Sequence, residues 1–136
     1  MSTRSFCIPL LPASIRWLLV AVVVATIVVF SLLPPPPETQ TSLPYLDKLV
    51  HAVAYLGLAG ALAYATVEYQ PRHRLRTALV WGLAVGVGLA VELLQSVVAY
   101  RFFTLGDLVA NAVGAGLILI WFRVERSLRY TPVSEW

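Results

Sequence analysis

The chain has 136 residues, of which 59% are hydrophobic and 12% charged, and its mean hydropathy is +0.78. Soluble domains carry about 25% charge, so this balance excludes an ordinary soluble domain, and the length suits one small helical unit spanning 1–136. A single cysteine, Cys7, excludes an internal disulfide and a cysteine-rich metal site. The net charge of +3 is spread over short basic groups without interleaved aromatics, which excludes a nucleic-acid partner.

The first apolar run, Trp17 to Leu33, follows Arg4 and Arg16. It is longer than a signal-peptide core of about 7–15 residues, and it runs into Pro34-Pro35-Pro36-Pro37 with no small-x-small site before them. The expectation is a retained membrane helix, stopped where proline cannot continue the hydrogen-bond ladder. A stiff polyproline-like connector leads to a second run from Leu46 to Val67, then a basic loop, Arg72-His73-Arg74-Leu75-Arg76. A third run covers Thr77 to Ala99, a loop carries Arg101-Phe102-Phe103, and a fourth run covers Gly106 to Phe122. At 1.5 Å per residue these runs match a hydrocarbon core of about 30 Å. The predicted fold class is all-α, an integral membrane four-helix bundle with spans at 17–33, 46–67, 77–99 and 106–122.

Orientation follows from the basic residues. Eight arginines (4, 16, 72, 74, 76, 123, 126 and 129) fall on the termini and the middle loop, against Lys48 and Arg101 on the other two loops. The lysine and arginine bias places both termini in the cytoplasm. The expected location is the cytoplasmic membrane, crossed several times.

Three polar islands then fall together at the outer face: Asp47-Lys48-x-x-His51, Glu92-x-x-Gln95, and Arg101 with Asp107-x-x-x-Asn111. Asp47, His51 and Tyr55 are four residues apart, as are Asp107 and Asn111, while Glu92 and Gln95 are three apart. Each set therefore shares one helix face. Ionisable groups inside hydrocarbon cost at least a few kcal/mol each, so their convergence calls for mutual pairing or a polar ligand. Arg101 has the reach to fold back onto Glu92, the deepest acid. Asp47 is placed to cap its helix as well as to orient His51, and Lys48, about 100° round the helix, is expected to snorkel to the headgroups.

His51, Glu92 and Asp107 are the conceivable metal set, but a catalytic zinc site usually takes three protein ligands rich in histidine. The second histidine, His73, lies on the opposite side, so no metal and no cofactor is assigned. Gly82-x-x-x-Gly86 and Gly114-Ala115-Gly116 are expected to let helices approach closely within the bundle.

The islands, in this order on helices two, three and four, resemble the VanZ-like family of small integral membrane proteins. The matching residues are Asp47, Lys48 and His51; Glu92 and Gln95; Arg101; and Asp107, Asn111 and Gly114. Ser96 departs from the aromatic or apolar residue expected after the glutamine. The family takes its name from a member linked to resistance against the glycopeptide teicoplanin, so the resemblance implies a cell-envelope role.

The resulting functional expectation is a ligand-binding pocket at the outer face formed by Asp47, His51, Tyr55, Glu92, Gln95, Arg101, Asp107 and Asn111. It would take a lipid headgroup, a lipid-linked envelope precursor or an amphiphilic antibiotic, with membrane lipids as the standing partners. The alternative is an intramembrane enzyme acting on a lipid-linked substrate, with His51 and Glu92 as the acid–base candidates. A purely structural polar cluster is the third reading. It is an inefficient one, because interhelical polar contacts in membranes average only about 0.6 kcal/mol.

Overall fold

The computed structural model describes residues 7–34, 45–98 and 104–135. Helix α1 runs Ala13–Leu32 and α2 runs Leu46–Ala65. A 3-10 segment, Val67–Arg72, joins α2 directly to α3, His73–Ser96. Helix α4, Leu105–Gly116, continues past Leu117 into α5, Ile118–Glu125. Four helical stretches are long and apolar enough to cross a membrane: Ala13–Leu32, Leu46–Ala65, Val67–Ser96 and Leu105–Glu125.

The spans agree with the sequence expectation, and the differences lie at their ends. The basic stretch expected as a loop is helical throughout, because a 3-10 turn reverses the chain with Pro71 inside it. Helix α3 therefore begins about a turn early, at His73, and the fourth span extends to Glu125. Two short strands not foreseen from the sequence, β1 (Cys7–Leu10) and β2 (Arg129–Pro132), pair in parallel with Cys7 opposite Arg129. They bring the two terminal segments to the same end of the bundle.

Helix α2 is the hub, packing against α1, α3 and α4. Its buried face is mostly small, with Ala59, Ala61, Ala63 and Ala65 beside Tyr55, Leu58 and Leu62. Small side chains let backbones approach, which is how membrane helices gain packing contacts where apolar burial offers no advantage over lipid. The closest approach is at Gly114, where an added Cβ would fall on the Ala52 carbonyl oxygen and 2.6 Å from its Cα. Glycine is required at that position. Gly82 and Gly86, by contrast, are exposed with nothing within 4 Å of an added Cβ. The expectation that this pair packs within the bundle is corrected: it faces outward. Outward-facing Leu, Val, Phe and Trp side chains, such as Leu18, Phe30, Val53 and Ile120, form the surface that lipid would cover.

The end that carries β1 and β2 is tied together by ion pairs. Arg16, a surface residue by sequence, is buried. Its guanidinium donates to the carbonyls of Leu11 (2.9 Å), Tyr64 (3.1 Å) and Ala65 (3.0 Å) and pairs with Glu68. Arg76, expected in a loop, is also buried, and it grips Glu125 with two bonds of 2.5 and 2.9 Å. Its guanidinium also lies 4.7 Å from the centre of the Phe122 ring. Tyr130 of β2 donates to the same carboxylate at 2.6 Å.

Candidate functional site

The polar islands meet at the opposite end, where α1 finishes, α2 begins, α3 finishes and α4 begins. Asp47 and Lys48 lie in the first turn of α2, with His51 one turn deeper. Glu92 and Gln95 lie on the buried face of the last two turns of α3. Asp107 and Asn111 lie on the buried face of α4. Thr104 starts that helix: its hydroxyl accepts from the Asp107 amide at 3.1 Å and donates to the Asp107 carboxylate. This reciprocal cap fixes where Asp107 points. It was legible in the sequence as Thr-x-x-Asp and was missed there.

His51 is the centre of the arrangement. Its Nδ1 donates to Asn111 Oδ1 at 2.9 Å and faces Glu92 Oε1 at 3.9 Å. Its Nε2 faces Asp47 Oδ1 at 3.9 Å and Asp107 Oδ1 at 4.0 Å. The carbonyl oxygen of Asn111 can only accept, so Nδ1 carries the proton of that bond, while Nε2 faces the carboxylates of Asp47 and Asp107.

Lys48 corrects the expectation that it snorkels outward. Its ammonium bonds Asp107 across the α2–α4 seam and Asp47 at 3.1 Å. A four-carbon stem covers the 100° offset from the His51 face. Asp47 lies in the first turn, but no side-chain cap bond forms, so its capping role is not observed.

Four buried polar atoms here have no hydrogen-bond partner among the described residues: both carboxylate oxygens of Glu92, Asn111 Nδ2 and Tyr55 OH. Glu92 is 1% exposed, Asn111 0% and Tyr55 2%. Buried polar groups are ordinarily bonded, and an unmet one costs about 1–3 kcal/mol. These are two donors and two acceptors in one buried cluster, which a small shift of the side chains or a bridging polar molecule would satisfy. Gly88 sits beside it, since an added Cβ would come within 3.1 Å of Asn111 Nδ2 and 3.2 Å of Tyr55 Cε1.

A cavity of about 140 Å³ opens next to His51, between α1, α2 and α3. One half is polar, with Asp47, His51, Tyr55 and Gln95, and the other apolar, with Ile27, Phe30, Val50 and Ala54. Gln95 anchors its α1 wall by donating to the Ser31 carbonyl at 2.9 Å. Arg101, expected to pair with Glu92, lies outside the described residues.

Asp47, His51 and Asp107 each offer a ligand atom within 4.8 Å of the others. The grouping thus draws in Asp47, where the sequence pointed to Glu92, because Glu92 stands on the Nδ1 side of the ring. Those donors suit a divalent cation, but the Lys48 ammonium lies between two of them and supplies the compensating charge itself.

A family model described as VanZ/LLP1 matches residues 10–126. The chain belongs to the VanZ/LLP1 family. The matched stretch takes in all four spans and every described residue of the polar cluster. No curated protein and no solved structure matches the chain. Within this VanZ/LLP1 chain, Asp47, Lys48, His51, Tyr55, Glu92, Asp107 and Asn111 converge on one point, and Gln95 joins them through the cavity wall.

Proposed function

We propose that this protein is a multi-pass protein of the cytoplasmic membrane, with its polar pocket at the outer face, that binds the headgroup of an amphiphile. The carrying observation is the two-sided cavity, with His51, Asp47, Tyr55 and Gln95 on one wall and Phe30, Ile27 and Val50 on the other. Pockets that hold small molecules are mostly apolar with a few placed polar groups. An amphiphile could put its polar end against His51 and its chain along Phe30 into the lipid.

The charges narrow the headgroup. Among the described residues, Asp47, Glu92 and Asp107 face one lysine and one histidine. Asp47 is the carboxylate that lines the cavity, with Glu92 and Asp107 behind His51, and this negative setting favours hydroxyl or amine donors, as on a sugar or an aminated headgroup. A lipid-linked envelope precursor and a glycopeptide antibiotic both carry such groups, so a resistance role is one physiological form of the same binding. The test is native mass spectrometry of the protein in nanodiscs with a lipid-linked glycan, phosphatidylethanolamine, phosphatidylcholine and teicoplanin. Retention of a hydroxyl- or amine-bearing amphiphile that His51→Gln abolishes supports the proposal. Equal retention by wild type and variant across the panel overturns it.

A second reading, acid–base chemistry on the same headgroup, is favoured by a specific observation. His51 is held by Asn111 and lies within 4.0 Å of three carboxylates. General acid–base catalysis needs partners at hydrogen-bond reach, and unliganded sites are often looser. Here Nε2 would take a proton from the headgroup, with Glu92 as the second acid–base group. Chemical change of the bound amphiphile, lost in Glu92→Gln while binding persists, would separate catalysis from binding.

A further inference from the structure

The arginine-rich end of the bundle holds a second cavity, of about 480 Å³, between the start of α3 and the end of α5. Gln70, His73, Thr77, Arg123 and Arg126 line it, and Leu119 and Phe122 form an apolar side. The two arginines are three residues apart and share a face. Both are exposed, and neither has a hydrogen-bond or ion-pair partner among the described residues. The carboxylate in the wall, Glu125, is already committed to two bonds from Arg76 and one from Tyr130. The first turn of α3 carries neither an acidic residue nor a side-chain cap.

We infer that this cavity is a binding site for a phosphate-bearing anion. Arg123 and Arg126 contribute charge and paired N–H donors suited to phosphate oxygens. Thr77 and Gln70 add neutral hydrogen-bonding groups, and His73 stands at the rim. Leu119 and Phe122 continue the wall toward the membrane interior, where an acyl chain would lie. Basic pockets between membrane helices hold anionic lipid headgroups in this way. Inorganic phosphate shares the headgroup chemistry but has nothing to place against Leu119 and Phe122. The site is remote from the His51 pocket, so it stands or falls independently of the function proposed for that pocket.

The test uses the full chain in a zwitterionic detergent. Binding of phosphatidylglycerol, phosphatidylcholine and inorganic phosphate is followed by native mass spectrometry and by the shift in melting temperature. The variants are R123Q/R126Q and the charge-matched R72Q/R74Q, whose side chains do not line the cavity. Each arginine near a lipid surface contributes enough that losing two should weaken phosphatidylglycerol binding about thirtyfold, while R72Q/R74Q should change it by less than about threefold. Single R123Q and R126Q variants, with intermediate losses, cover a double variant that does not fold. Inorganic phosphate matching phosphatidylglycerol would assign the site to a soluble anion. Phosphatidylglycerol alone would assign it to lipid. Equal binding of phosphatidylcholine, or equal losses in the two double variants, overturns the site.

Discussion

His51 and Asn111 meet across the seam between α2 and α4 with a 2.9 Å hydrogen bond, sixty residues apart in sequence. The bond fixes the imidazole so that one ring nitrogen looks inward to Glu92 and the other outward to Asp47 and Asp107. One ring thus bridges the buried Glu92 and the exposed Asp47.

His51→Gln and Asp107→Asn should separate site from strut. Interhelical hydrogen bonds in membrane proteins average about 0.6 kcal/mol, and the half-exposed Lys48–Asp107 ion pair adds about 1 kcal/mol or less, so neither variant should lose more than about 2 kcal/mol of stability. Binding of the amphiphile, measured on the same preparations, should fall to background. A melting temperature that collapses before binding does would mark these residues as structural.

Gly114→Ala should be severe for a purely steric reason. Its Cβ has no room against the Ala52 backbone, and overpacking costs about 1–3 kcal/mol or more. Gly82→Ala, at an exposed position with open space, should be neutral. Thermal melts in detergent that fail to rank the two variants this way would refute the close α2–α4 contact.

Arg76→Ala strands Glu125 in a buried position, both side chains being 3% exposed. Breaking a buried pair from one side costs about 3–5 kcal/mol. Adding Glu125→Gln should recover part of that loss, because the uncompensated charge is gone. A double variant no more stable than R76A alone would contradict the pairing.

Tyr130 gives a pH signature outside the spans. Burial, then its hydrogen bond to Glu125, push the phenol well above its ordinary value of 10.0. The folded-state value exceeds the unfolded one, so this contribution is complete below about pH 10 and is lost as the pH rises toward the folded value. The stability gap between wild type and Tyr130→Phe, about 1 kcal/mol at neutral pH, should therefore shrink in alkaline melts. A gap that stays constant to high pH would mean that the phenol is not held by Glu125.

Sidedness is open to direct labelling. In a Cys7→Ala background, single cysteines at Arg74 and Val97, both exposed, should react from opposite faces of intact cells, with Val97 accessible from outside. Labelling of both from one side would remove the four-span topology.

Hydropathy and spacing alone determined the four spans, the face each polar island occupies and, through the up-and-down alternation of the spans, that the islands collect at one end. Those features are local: a run of apolar residues and a three- or four-residue repeat are written in consecutive positions. Tertiary structure decided which faces meet. Lys48 turned inward because Asp107, 59 positions away, lay within reach of its stem. Arg16 and Arg76, counted as surface charges, became buried because Glu68 and Glu125 stand 52 and 49 positions from them. The β1–β2 pairing joins segments more than a hundred residues apart. No periodicity encodes such partners, since a helix repeat fixes the direction of a side chain and leaves its neighbour to the packing of the bundle.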